Sequence, residues 1–281
     1  MKVLVTGYTG QLGFDVVSEL KARNIECIGT TRNEFSLTDI EKMQAFVKAY
    51  KPDVVIHCAA YTAVDKAEDE VELCAQINHL ATKELANVCK EINAKMIYIS
   101  TDYVFAGSGE DFYKVNDEKA PQNVYGKSKL DGELAVQEIL DKYFIVRISW
   151  VFGSNGKNFI KTMLNLAKTH DKLTVVNDQI GSPTYTVDLA KLLCDMALSD
   201  KYGVYHATNE GICSWYDFAC EIFKQADIKI NVEPVPSTAF PTKATRPYNS
   251  RMSKKCLDEA GFNRLPTWQN ALTKYLKEIN K

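Results

Sequence analysis

Met1-Lys2-Val3-Leu4-Val5-Thr6-Gly7-Tyr8-Thr9-Gly10-Gln11-Leu12-Gly13 opens the chain, and its reading decides the fold. Lys2–Thr6 is a short apolar run of the kind a buried parallel strand gives. It enters three glycines spaced three apart, after which Leu12, Val16, Val17 and Leu20 make one apolar face at helical spacing. A strand, a glycine-rich turn and a helix in that order form a cradle for a pyrophosphate. Gly7 allows the tight turn, Gly10 lets the backbone approach the phosphates, and Gly13 lets helix and strand pack closely. The helix start adds free N–H groups and the positive end of its dipole. Gly7, Thr9, Gly10, Gln11, Leu12 and Gly13 are therefore expected to hold a dinucleotide.

Working outward, a second strand is expected over Glu26–Thr30 and a helix over Ile40–Tyr50, with Asp39 as a possible N-cap. Residues 53–60 read as a third strand, 71–93 as a long amphipathic helix and 94–100 as a fourth strand. Residues 127–140 read as a helix and 143–151 as a fifth strand. Strands alternating with helices imply right-handed crossovers and a mostly parallel sheet. The expected fold is α/β, a Rossmann-like doubly wound parallel sheet. After Gly153 the alternation loosens. Helices are expected at 159–168, 186–198, Trp215–Gln225 and 267–279, with extended segments at 173–176 and 203–207. A smaller, interleaved C-terminal substrate lobe follows from this: 1–152 as the dinucleotide-binding domain, to which the chain returns at about 184–208, and 153–183 with 209–281 as the lobe.

Composition narrows the function classes. The chain has 281 residues, 46% hydrophobic and 25% charged, with a net charge of -2. Such a balance gives no basic excess for nucleic acid or an anionic membrane surface. No apolar stretch is long enough to span a bilayer and no signal peptide is read, so a cytoplasmic location is expected. The eight cysteines are dispersed and contain no Cys-x-x-Cys pair, which favours reduced thiols. The four histidines show no metal-ligand spacing with them, and no metal is assigned; His57 and His206 fall in apolar segments and read as satisfied core residues.

The chemistry sits in two further places. Tyr125 and Lys129, four apart in Asn123-Val124-Tyr125-Gly126-Lys127-Ser128-Lys129, stack a phenol and an ammonium on one helix face. An ammonium about 5 Å from a phenol, at an effective dielectric of about 20, favours the phenolate by roughly two pKa units. Thr101, in Ser100-Thr101-Asp102-Tyr103-Val104-Phe105, ends an apolar strand, where a parallel sheet binds ligands. Its hydroxyl can hold a carbonyl oxygen. For the dinucleotide, the second strand ends Thr30-Thr31-Arg32 with no carboxylate before Glu34, so NADPH is favoured over NADH, with Arg32 on the 2′-phosphate.

Taken together, the glycine turn, Thr101 and Tyr125-x-x-x-Lys129 resemble the extended short-chain dehydrogenase/reductases, and within them the dTDP-4-dehydrorhamnose reductases. The matching segments are 58–68, 100–105, 123–129, 149–153, 158–163, 177–184 and 246–250, in order over nearly the whole chain. The resemblance implies hydride delivery from NAD(P)H to C4 of a dTDP-deoxyketosugar, giving dTDP-L-rhamnose. Tyr125 would donate the proton, Lys129 would stabilise the tyrosinate and hold the nicotinamide ribose, and Thr101 would bond the sugar oxygen. Asp39, Ala59, Ala60 and Tyr61 would line the cofactor site. Thr62, Val64, Asp102, Tyr103, Phe105 and Trp150 would shape the sugar pocket, and Arg246 would meet the diphosphate. Related dehydratases carry an Asp-Glu pair after the threonine. Asp102-Tyr103 stands here instead, so water elimination is not expected. Some relatives dimerise through a magnesium held by glutamates; with Asp15 and Val187 near those places the metal is not carried over, and a homodimer stays open. A non-catalytic cofactor-binding regulatory subunit and a nucleotide-sugar epimerase are the competing readings.

Overall fold

The computed structural model describes residues 1–280. Its centre is a six-stranded sheet in which every pairing is parallel. The strands are β1 (Lys2–Thr6), β2 (Glu26–Thr30), β3 (Val54–His57), β4 (Lys95–Thr101), β5 (Tyr143–Ile148) and β6 (Gly203–His206), in the order β2-β1-β3-β4-β5-β6. The order reverses between β1 and β3, which opens a crevice at their carboxyl ends.

Alternation along the strands builds two cores. Val3, Val5, Ile56, Ile97 and Val146 face helices Gln11–Ala22 and Thr186–Ala197, where Val16, Leu20, Leu189 and Leu193 are fully buried. Leu4, Val55, Met96 and Ile145 face the other way, onto Met43, Val47, Leu85 and Val136. His57 and His206 are buried in this body; His57 Nδ1 lies 2.7 Å from Thr6 Oγ1, and burial pushes both imidazoles down to about 3, so both are neutral. All eight cysteines are free, and no described helix is long and apolar enough to cross a membrane.

Three departures from the expected elements have local causes. The third strand stops at His57, not residue 60. Cys58 leaves the sheet, and Ala59 N–H turns to donate to Thr6 Oγ1 at 3.1 Å. The helix expected over 71–93 is interrupted by a π-helical segment, Gln76–Leu80. Asn78 lies inside it; its side chain clamps Tyr61 N and O at 2.8 and 3.0 Å and bonds Ser128, while its carbonyl accepts from Tyr98 and Thr82. Pro234 disguised the strand Asn231–Val235, which pairs parallel to Lys172–Val176 in a sheet of two strands where every strand is an edge.

A third core joins Phe152, Ile160, Leu173, Phe218, Trp268 and Tyr275. The chain passes between it and the sheet at three places that bond to one another. Ser149 Oγ donates to Ser182 O at 2.8 Å, Thr184 Oγ1 donates to Ser149 O at 2.6 Å, and Asn209 receives Tyr185 N–H at 2.7 Å. These four polar residues are at most 3% exposed, and each is satisfied.

Candidate active site

Helix Val124–Ile139 positions the tyrosine and lysine. It starts three residues before the expected 127, because Asn123 Oδ1 caps it by accepting from Gly126 N–H at 2.7 Å. Tyr125 thus occupies the first turn and Lys129 the next. A Cβ at position 126 would lie 2.3 Å from Tyr103 O, so only glycine lets this helix rest on the turn that follows β4. That turn is a short 3-10 helix, Asp102–Val104, held by Thr101 Oγ1 accepting from Tyr103 N–H at 3.2 Å. The glycine sets the approach of Tyr125 to Thr101.

On the opposite wall the first helix begins at Gly10 with no side-chain cap. Gly7 has φ +74°, and a Cβ at Gly13 would lie 2.4 Å from Gly7 O. The close packing expected of Gly13 is therefore present. Between the walls lies a cavity of about 770 Å³. Of the residues expected at the site, Gly7, Thr9, Gly10, Gln11, Leu12, Gly13, Arg32, Ala59, Ala60, Thr62, Val64, Thr101, Asp102, Tyr103, Tyr125, Lys129 and Trp150 line it. Ser100 lines it too, and its buried hydroxyl has no partner among the described residues.

Four expected residues lie elsewhere. Asp39 caps helix Ile40–Tyr50 through Lys42 N–H. Tyr61 donates its hydroxyl to Glu70 at 2.6 Å. Phe105 is 1% exposed and stacked on Tyr113 at 4.4 Å, so it supports the turn from beneath and lines neither chamber. Arg246 lines a second chamber of about 750 Å³, which shares Tyr103 and Trp150 with the first.

Electrostatics correct one expectation. Lys129 is 2% exposed, and its Nζ sits 4.0 Å over the Tyr98 ring. Burial lowers it to about 7, opposed first by Glu133. The Tyr125 phenol is pushed up, not down: burial is the largest cause, then the Asp102 carboxylate, with the neighbouring Thr101 side chain acting the other way. Asp102 is 4% exposed and raised to about 6, again by burial, against hydrogen bonds from Ser250 and Thr101. Thr101 donates its single hydroxyl proton to Asp102 Oδ1 at 2.9 Å, so Thr101 must turn from Asp102 before it can donate to a carbonyl oxygen.

The second chamber was missed by sequence reasoning apart from Tyr103, Trp150 and Arg246. Its walls include Phe159, Trp215, Gln179 and Tyr248. Trp150, at the junction of the chambers, has φ +50° and stacks on Trp215 at 3.8 Å. A bulky residue in that backbone region is strained, and such strain collects at functional sites. Residues 158–163, 177–184 and 246–250 signalled the region as matching segments, but they gave Phe159 no role and did not include Trp215.

A nucleotide cradle facing a Tyr-x-x-x-Lys helix across a parallel sheet's switch point defines a short-chain dehydrogenase/reductase. The model of the RmlD substrate binding domain family matches residues 1–281. The chain is 40% identical over 277 residues to the spore coat polysaccharide biosynthesis protein SpsK of Bacillus subtilis, covering 99% of this chain and 97% of that one. It is 38% identical over 297 residues to the dTDP-4-dehydrorhamnose reductase of Escherichia coli, covering 99% and 98%. The crystal structure of the Bacillus anthracis dTDP-4-dehydrorhamnose reductase in complex with NADP superposes with a TM-score of 0.96 at 41% identity, over 99% of both chains. The chain belongs to the dTDP-4-dehydrorhamnose reductase family of extended short-chain dehydrogenase/reductases, and is an NAD(P)-dependent oxidoreductase of that type.

Proposed function

We propose that this chain reduces the C4 ketone of dTDP-4-dehydro-6-deoxy-L-mannose to dTDP-L-rhamnose, with NADPH preferred over NADH. The observation that carries the reading is the convergence of Thr101, Tyr125 and Lys129 on one wall of the cavity whose other wall is the glycine turn. The cavity fits a dinucleotide: Gly7 and Gly10 present bare backbone, the first helix is uncapped, and the orphaned Ser100 hydroxyl awaits a polar partner. NAD(P)H supplies the hydride when bound there.

Tyr125 gives its phenolic proton to the C4 oxygen. Its raised pKa keeps it protonated until charge develops on that oxygen. Lys129, near 7, carries the ammonium that hydrogen-bonds the nicotinamide ribose and balances the tyrosinate once it forms. Thr101 turns from Asp102 to the sugar oxygen. The deoxysugar lies between Thr62, Val64, Tyr103 and Trp150, and the nucleoside end reaches into the second chamber, toward Trp215 and Phe159. Arg246, on the C-terminal lobe and bonded to the Tyr103 hydroxyl, meets the diphosphate. The lobe of 153–183 and 209–281 thereby acts as the substrate-binding part of the molecule.

The test is NADPH oxidation with dTDP-4-dehydro-6-deoxy-L-mannose, followed by identification of the sugar. Stoichiometric oxidation with dTDP-L-rhamnose as product is expected; absence of net oxidation rejects the proposal. For the cofactor preference, Arg32 is exposed, lines the cavity and makes no ion pair among the described residues. Arg32→Ala is expected to raise KM for NADPH about tenfold, the effect of one charge-assisted contact, and to leave NADH unchanged. Equal changes with both cofactors would remove Arg32 from the 2′-phosphate.

A further inference from the structure

The mechanism above uses Arg246 but gives no role to Asp65, the carboxylate that holds it where the two chambers meet. Arg246 donates from Nη2 to Asp65 Oδ2 at 2.5 Å and from Nη1 to the Tyr103 hydroxyl at 3.2 Å. Asp65 also accepts Ala244 N–H at 3.2 Å through its other oxygen, and Lys243 pairs with Asp69. Thr245 O accepts from Asn123 Nδ2 at 2.9 Å. Residues 243–246 thus form a strap from the C-terminal lobe to the 65–69 segment, fastened also to the residue that caps the Tyr125 helix.

The guanidinium–carboxylate pair is the odd member of this strap. The Asp65 and Arg246 side chains are 45% and 30% exposed, and such half-open pairs contribute little to stability. The strap has other anchors at Ala244, Thr245 and Lys243, so it does not need this one. What the pair does is hold the guanidinium, a group suited to phosphate, with its Nη1 edge on Tyr103 at the cavity wall.

We propose that Asp65 is a placeholder for the substrate's diphosphate: its carboxylate orients Arg246 in the free protein and is displaced from the guanidinium when the nucleotide sugar binds. The inference rests on the reading of Arg246 as the diphosphate's partner. A diphosphate brings more negative charge than one carboxylate and matches the fork of guanidinium donors, so the exchange favours the ligand. Asp65 keeps the strap in register during the exchange through its bond to Ala244 N–H. Asp65 is then a specificity-determining residue: a ligand lacking the diphosphate cannot displace it.

The experiment is calorimetric titration of dTDP into the NADP-saturated protein, in wild type, Arg246→Ala, Asp65→Asn, the double variant and Asp69→Asn. Arg246→Ala is expected to weaken dTDP about tenfold or more. Asp65→Asn, which retains an oxygen for Ala244, is expected to tighten it about three- to fivefold, the range open to an exposed pair. Most of that gain should vanish in the double variant, and Asp69→Asn, an equal charge change on the same strap, should stay within about twofold of wild type. If Arg246→Ala weakens dTDP while Asp65→Asn leaves it unchanged or weaker, the placeholder is overturned and Arg246 keeps its role. If Asp69→Asn tightens dTDP as much as Asp65→Asn, general charge removal explains the gain and the placeholder is again overturned. If Arg246→Ala has no effect, the diphosphate reading fails and the placeholder with it.

Discussion

Tyr125→Phe is expected to lower kcat about 10²- to 10⁴-fold, the usual contribution of a positioned general acid, with Kd for NADPH changed less than about twofold. Only the hydroxyl is removed. The ring keeps its edge-on contact with Tyr103, at 5.5 Å between centroids, so the wall of the cavity stays in place. Steady-state turnover together with a fluorescence titration of NADPH separates the two effects. Turnover within about tenfold of wild type would move the proton donor elsewhere, with buried Asp102 the first group to examine. The lysine leaves its own mark on the same profile. Because burial lowers Lys129 to about 7, the charged form is present below pH 7 and is lost as pH rises through it. kcat/KM for the cofactor, which reports the free enzyme, should therefore fall above pH 7. In Lys129→Met that alkaline limb should disappear.

The largest stability effect is expected from Glu133→Gln. Glu133 and Arg147 are 1% and 2% exposed, and the carboxylate accepts two bonds from the guanidinium, at 2.8 and 2.6 Å. Arg147 reaches on to Val115 O at 2.9 Å and lies over Phe105. Removing the carboxylate's charge leaves a buried guanidinium without a counter-ion, a loss of about 3–5 kcal/mol. Denaturant unfolding would measure it, and a loss below about 1 kcal/mol would show that water or rearrangement compensates. Glu133→Leu with Arg147→Met should recover most of the loss, since a well-packed apolar pair often matches a buried ion pair. The pair joins the Tyr125 helix to β5, so Glu133→Gln should also reduce kcat, whereas the apolar pair restores that anchorage.

Much of this molecule is legible in its first 150 residues. The Lys2–Thr6 run and the glycine turn after it fixed a parallel sheet and its ligand edge, since each of those residue types serves a local requirement of the backbone. What was not legible depends on partners distant in sequence. Asn78 interrupts a helix because it must bond Tyr61, Ser128, Thr82 and Tyr98, and no periodicity signals that. Pro234 masks a strand that survives because its sheet has a single other strand, so that one side of it stays unpaired. At the site, the spacing of Tyr125 and Lys129 placed both on the cavity wall, but spacing says nothing of where a long side chain turns. Lys129 turned to Tyr98, and burial, followed by the Asp102 carboxylate, pushed the phenol up. Asp65 and Ser250 lay in matching segments but had no role there, for the same reason: each acquires meaning only when a segment nearly 150 or more residues away is laid against it.

The buried polar knot formed by Ser149, Ser182, Thr184 and Asn209 governs how the molecule can move. A lobe attached by one crossing can swing freely about it, but this lobe is pinned by three crossings bonded side by side. Any wide rotation would break several of those bonds at once and leave their partners without water. The permitted motion is small sliding of one layer over the other. The glycine turn and Tyr125 both belong to the sheet body, so such sliding leaves their separation unchanged.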